Sequence, residues 1–183
     1  MKQFRILIGG AACALAVAAI AGFHPYQAQT GWGDIGREWG STSAVYTTPE
    51  GNVWVAERCG ENTCVGHEDL DTVFLFDPEG NLLRSFGAGL FVWPHGIHVD
   101  NDGNVWVTDG DNHCIHKFDR NLNYIVSFGR QGEGRGEFQS PRGLAIWRRF
   151  GQVFVAEEGG AQYYWIGIDL LDVRVDPDPA GRG

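Results

Sequence analysis

Four of the six histidines fall in one short stretch, WPHGIHVDNDGNVWVTDGDNHCIHKFD, from Trp93 to Asp119. Neutral imidazole is the commonest metal ligand and a natural general base near neutral pH. His95, set between Pro94 and Gly96, is the strongest metal-ligand candidate, because a proline-fixed side chain at the start of an inner strand faces inward. His98 lies three residues on, so the two-residue strand period sends it to the opposite face and the pair cannot easily chelate together. His113 and His116 share that odd spacing and read as structural or exposed, while His67 sits in the polar segment GENTCVGHEDLD and reads as a solvated loop histidine. Cys59 and Cys64 lie close together in RCGENTC and read as a disulfide worth about 2 kcal/mol on the chain-entropy argument. A zinc or redox pair is the weaker alternative, since no second pair and no C-x-x-C spacing accompanies them. Cys114 falls inside an apolar alternation, as a small buried hydrophobe does.

These residues need a compartment and a scaffold. Lys2 and Arg5 followed by the apolar run from Ile6 to Ala21 make residues 1–21 a secretory signal peptide, with Ala19-Ile20-Ala21 as a small-residue cleavage site. An uncleaved anchor, or a lipid on Cys13, would equally leave the rest of the chain outside the cytoplasm. The expected localisation is extracytoplasmic, periplasmic or secreted, where a Cys59–Cys64 bridge persists. The formal charge of −9 becomes more negative without Lys2 and Arg5, and such a surface repels phosphate backbones, so nucleic acid is excluded as a partner.

The scaffold is legible as self-similarity. GNVWV at 51–55 recurs at 103–107 and as GQVFV at 151–155, FDPEGNLLRSFG at 76–87 recurs as FDRNLNYIVSFG at 118–129, and WPHGIHV at 93–99 recurs as SPRGLAI at 140–146. Within the clearest copy, runs rich in Val, Ile, Phe and Trp at 95–100, 104–109, 114–119 and 124–129 alternate with Asn, Asp and Gly turns, leaving no room for a helix. The other copies read 43–48, 52–58, 72–77 and 82–87, then 142–148, 152–157, 161–169 and a weaker strand near 171–176. The expected fold is all-β, a partial β-propeller of about three four-stranded antiparallel blades. The blades span 43–87, 93–129 and 140–176, after an N-terminal extension at 22–42 and before a disordered tail at 177–183.

The pattern from Pro94 to Asp119 resembles an NHL repeat. More narrowly, WPHGIHVDNDGNVWVTD, preceded by VWVAER and DTVFLFDPEGNLL, resembles the six-bladed peptidyl-α-hydroxyglycine α-amidating lyases, closely over 43–130 and only generically from 136 onward. That resemblance implies His95 as one of three zinc ligands from Pro-His motifs, Arg58 as the clamp on the substrate carboxylate, and the Ile97 carbonyl as a ligand of structural calcium. Zinc and calcium are the cofactors it implies, and a peptide or small molecule the ligand. The implied reaction cleaves a C-terminal α-hydroxyglycine into a peptide amide and glyoxylate.

The departures are as informative. The third copy has Arg142 in SPRGL where a second Pro-His would stand, and the segment after VFVAEE shows Gly159 and Gly160 where the family has a tyrosine, with Tyr163 and Tyr164 further on. One imidazole is not a catalytic zinc site, which takes three protein ligands plus water. Three blades also do not close a ring, and would leave two apolar faces and an open edge. The chain therefore reads as a fragment or incomplete member of the family, as half of a homodimeric ring, or as an open propeller completed by a partner chain. The alternative function is a non-catalytic extracytoplasmic binding scaffold that presents loops such as 59–71.

Overall fold

The computed structural model describes residues 28–134, 136–147 and 152–158, and the backbone of 164–169 and 172–174. The signal peptide expected at 1–21, Cys13, Gly159, Gly160, Tyr163 and the tail at 177–183 lie outside the described residues, and Tyr164 is described only in its backbone. The chain divides into two units, Met1–Trp32 and Gly33–Gly183, and the fold below is that of the second.

Twelve strands form three four-stranded antiparallel meanders. The first holds β1 (Thr42–Thr47), β2 (Val53–Glu57), β3 (Val73–Phe76) and β4 (Leu82–Phe86). The second holds β5 (Pro94–Val99), β6 (Val105–Asp109), β7 (Cys114–Phe118) and β8 (Tyr124–Phe128), and the third β9 (Pro141–Trp147), β10 (Gln152–Glu157), β11 (Tyr164–Asp169) and β12 (Asp172–Arg174). β5 packs against β1 and β2 on one side and against β9 on the other, so the first strands of successive sheets are neighbours, as in a propeller. The architecture is the expected partial propeller of three blades.

One clasp recurs in three of the hairpins. Asp77 accepts hydrogen bonds from the backbone and side-chain amides of Asn81, and Asp100–Asn104 and Asp119–Asn123 repeat the arrangement. The residue before each asparagine takes positive φ, which costs nothing at Gly80 and Gly103. In the third turn that residue is Leu122, at φ 70°, so here an L side chain occupies the left-handed region.

Alternation explains the packing. From β6, Val105 and Val107 enter a core with Trp54, Val73, Phe91 and Phe118, while the intervening Trp106 joins Ile115, Phe138, Val153 and Val155. The second sheet is thus buried on both faces, and each large side chain so buried contributes roughly 1.5–3 kcal/mol. The outer face of the first sheet departs from the expectation of bare apolar surface. Trp39 packs edge-on to Phe74 at 5.7 Å and lies 5.9 Å from Phe76, with the Arg37 guanidinium over Phe74. On the third sheet Trp147 remains 51% exposed.

Candidate functional site

Each sheet opens in the same way. The last residue of its second strand is acidic, and that carboxylate collects amides from the chain leading into the first strand. Asp109, fully buried, accepts from the amides of Val92 (2.7 Å) and Trp93 (2.8 Å). Glu157 accepts from Gln139 and Ser140, and Glu57 from Gly40 before β1 and also from Gly60 just after β2. Immediately afterwards the register slips in all three sheets, between Thr42 and Ala44, between Pro94 and Ile97, and between Pro141 and Gly143. A bulge re-aims the side chain it carries. The residues at this point are Ser43, His95 and Arg142. The simple alternation that separated His95 from His98 is interrupted here, yet their surroundings do differ: His95 lies 5.0 Å from the Trp93 ring and His98 5.1 Å from Tyr46.

Two guanidinium groups converge on Trp93. Arg58 lies over the indole at 3.4 Å and Arg142 at 3.9 Å, beside His95. Arg58 is 8% exposed, donates from Nε to the Pro94 carbonyl and from Nη1 to Asn62, and has no carboxylate in ion-pair contact among the described residues. The loop that supplies Asn62 is closed by the Cys59–Cys64 disulfide, with Cα atoms 5.0 Å apart, and is docked by the Cys64 amide on the Val92 carbonyl. Arg142 pairs through Nη2 with Glu158, while its Nη1 is buried without a hydrogen-bond partner among the described residues. Its carbonyl accepts from the Thr108 hydroxyl at 2.6 Å, and that hydroxyl accepts from the Gly96 amide at 2.7 Å, so one buried side chain locks the second sheet to the third.

The electrostatics follow from this crowding. Burial, then the charge of Arg142, lowers the proton affinity of Arg58, and Asp111 opposes both. Burial also lowers that of Arg142, again against Asp111. His95 is held below the ordinary histidine range by burial and then by Arg142 and Arg58, so its imidazole is neutral at pH 7. Arg142, Trp93 and Asp111 were not among the residues picked from the sequence for the site. In the repeat alone, Arg142 stands only as the residue in place of a second Pro-His.

Elsewhere, Ile97 is 8% exposed and lies opposite Val107 in the β5–β6 ladder. His113 bonds the Gln139 carbonyl through Nδ1, and His67 lies 3.5 Å from Glu61. His116 is buried against Phe91, with Nε2 3.3 Å from the Cys114 sulfur, and burial pushes the Cys114 thiol up to about 12, which makes it inert. A cavity of about 510 Å³ between the first two sheets is lined by Tyr46, Trp54, Arg84 and Arg120 and by none of the site residues expected from the sequence. Among the described residues no three His, Cys, Asp or Glu side chains converge. His95 is a lone donor flanked by two cations, so these residues by themselves do not fit a zinc ion. Among the described residues no helix is long and apolar enough to cross a membrane.

The NHL repeat family matches residues 91–118. A probable peptidyl-alpha-hydroxyglycine alpha-amidating lyase of Caenorhabditis elegans is 32% identical over 138 residues, 66% of this chain and 39% of that protein. The peptidylglycine alpha-amidating monooxygenase of Rattus norvegicus is 32% identical over 114 residues, 59% of this chain and 12% of that protein. The chain therefore spans about two fifths, or less, of these relatives. A catalytically inactive virginiamycin B lyase from Staphylococcus aureus, solved with quinupristin, superposes with a TM-score of 0.54 at 14% identity, covering 75% of this chain and 41% of that one. That likeness is one of fold. Taken together, the three sheets, the NHL repeat and these relatives make the chain a distant homologue of lyase-type propeller proteins.

Proposed function

We propose that the protein is an extracytoplasmic relative of the amidating lyases whose described portion recognises a carboxylate-bearing ligand, the terminal carboxylate of an α-hydroxyglycine peptide. One observation carries the reading. Arg58 is a buried guanidinium, pre-aligned by Pro94 and Asn62 and stacked on Trp93, yet lacking any carboxylate in contact among the described residues. Such a group, with donors to spare, is built to meet a planar anion. In the cleavage itself the substrate hydroxyl loses its proton, the carbon–nitrogen bond breaks and the nitrogen is protonated, giving an amide and glyoxylate. Arg58 holds the carboxylate through this change, and neutral His95 presents a lone pair beside it. A complete metal site, and the calcium implied at Ile97, belong to this reading only with ligands from a second copy, a partner chain or residues beyond those described.

The lone donor at His95 favours a second reading, a binding scaffold without turnover. Purified protein is incubated with α-hydroxyhippurate, with and without added zinc, and glyoxylate is measured. Release above the uncatalysed rate that falls at least tenfold in Arg58→Gln supports the lyase. Carboxylate binding without release supports the scaffold, and neither binding nor release sinks both.

A further inference from the structure

We infer that Arg142 joins Arg58 in a two-guanidinium site for a dianionic ligand, one that carries two carboxylates. The inference rests on the reading that Arg58 takes a carboxylate, and it adds the second charge that the ligand must bring.

Three features support it. Arg58 and Arg142 are both stacked on Trp93, a close approach of like charges in a chain whose formal charge is −9. Two cations gathered on one indole in an otherwise acidic protein are costly unless an anion compensates them. Arg142 also keeps Nη1 buried and unpartnered among the described residues, although buried donors are nearly always satisfied. Finally, the nearby counter-charges are weakly committed. Glu158, which pairs with Nη2 of Arg142, has a side chain 67% exposed, and Asp111 is exposed and makes no ion-pair contact with either arginine. An exposed carboxylate of this kind is readily displaced by a ligand that binds the same fork more fully. The imidazole of His95 and the indole of Trp93 give the site an aromatic wall.

The second carboxylate has two sources. It belongs to a free dicarboxylate, or to an acidic side chain next to the C-terminal residue of a peptide. Calorimetric titration of the full chain separates them. Malonate and succinate are compared with acetate, and a C-terminal Glu-Gly peptide with its Gln-Gly counterpart. At least one dianion is expected to bind ten or more times more tightly than its monoanionic control, and Arg142→Gln to reduce that ratio to below about two. Tighter malonate or succinate alone identifies a free dicarboxylate, and tighter Glu-Gly alone identifies the peptide. Arg142→Lys, which keeps the charge, retains most of the ratio and guards against misfolding. Equal affinity for dianion and monoanion in the parent protein, or a ratio untouched by Arg142→Gln, overturns the inference. Carboxylate binding insensitive to Arg58→Gln instead overturns the reading on which it rests.

Discussion

The openings of the second and third sheets share one backbone and carry different chemistry. Pro94-His95-Gly96 and Pro141-Arg142-Gly143 each follow two amides held by an acidic side chain, and each bulges at the same point. One delivers an imidazole and the other a guanidinium to the same indole. The repeat thus fixes where a functional side chain stands, and the single residue in the bulge decides what it does. The two openings also differ in how firmly they are held. Asp109 is fully buried, whereas Glu157 is partly exposed. A β-carbon on Gly96 would meet the Arg142 carbonyl at 2.2 Å, whereas one on Gly143 would meet only the Ala156 methyl at 3.8 Å.

Removing the carboxylates should separate the two openings most. Asp109→Ala strands the amides of Val92 and Trp93 in a buried site and is expected to cost about 3–5 kcal/mol in a urea melt, against about 1–2 for Glu157→Ala. Equal losses would show that the openings are held alike. Next come the glycines: Gly96→Ala should destabilise by about 2–3 kcal/mol by pushing β9 away, while Gly143→Ala should change stability by less than about 1. A smaller effect separates the sheets by pH. His98 and His116 are both held below the usual histidine range, each chiefly by burial, with Asp100 and Asp109 respectively opposing, and the described side chains of the third sheet include no histidine. A group whose proton affinity falls on folding stabilises the fold above its unfolded pKa, and that contribution is lost as the pH drops through the folded one. The melting temperature is therefore expected to be level above about pH 6.5 and to decline below it. His116→Gln should flatten the decline, and an unchanged slope would place its cause elsewhere.

Much of this was legible in the residues. Short apolar runs between Asp-, Asn- and Gly-rich turns located the strands of the first two sheets to within about two residues, because hairpin closure is local chemistry, seen in the Asp100–Asn104 clasp. His95 and Arg58 were found through the motifs around them. What the sequence hid depends on stacking between sheets. Arg142 looked like a lost ligand because its neighbours Trp93 and Arg58 are distant in the chain and meet it only when β9 packs on β5. The cover that Trp39 gives Phe74 and Phe76 was hidden for the same reason. Leu122 shows the limit of turn rules, since it adopts a glycine's backbone while packing against the core around Phe118.

A crystal structure of the protein grown with malonate would test the site most directly. The expected result is a carboxylate within hydrogen-bond reach of Arg58 and the second on Nη1 of Arg142, both beside Trp93 and His95, with Glu158 turned away. Malonate bound elsewhere, or Arg58 and Arg142 swung apart to separate carboxylates of the protein itself, would contradict it.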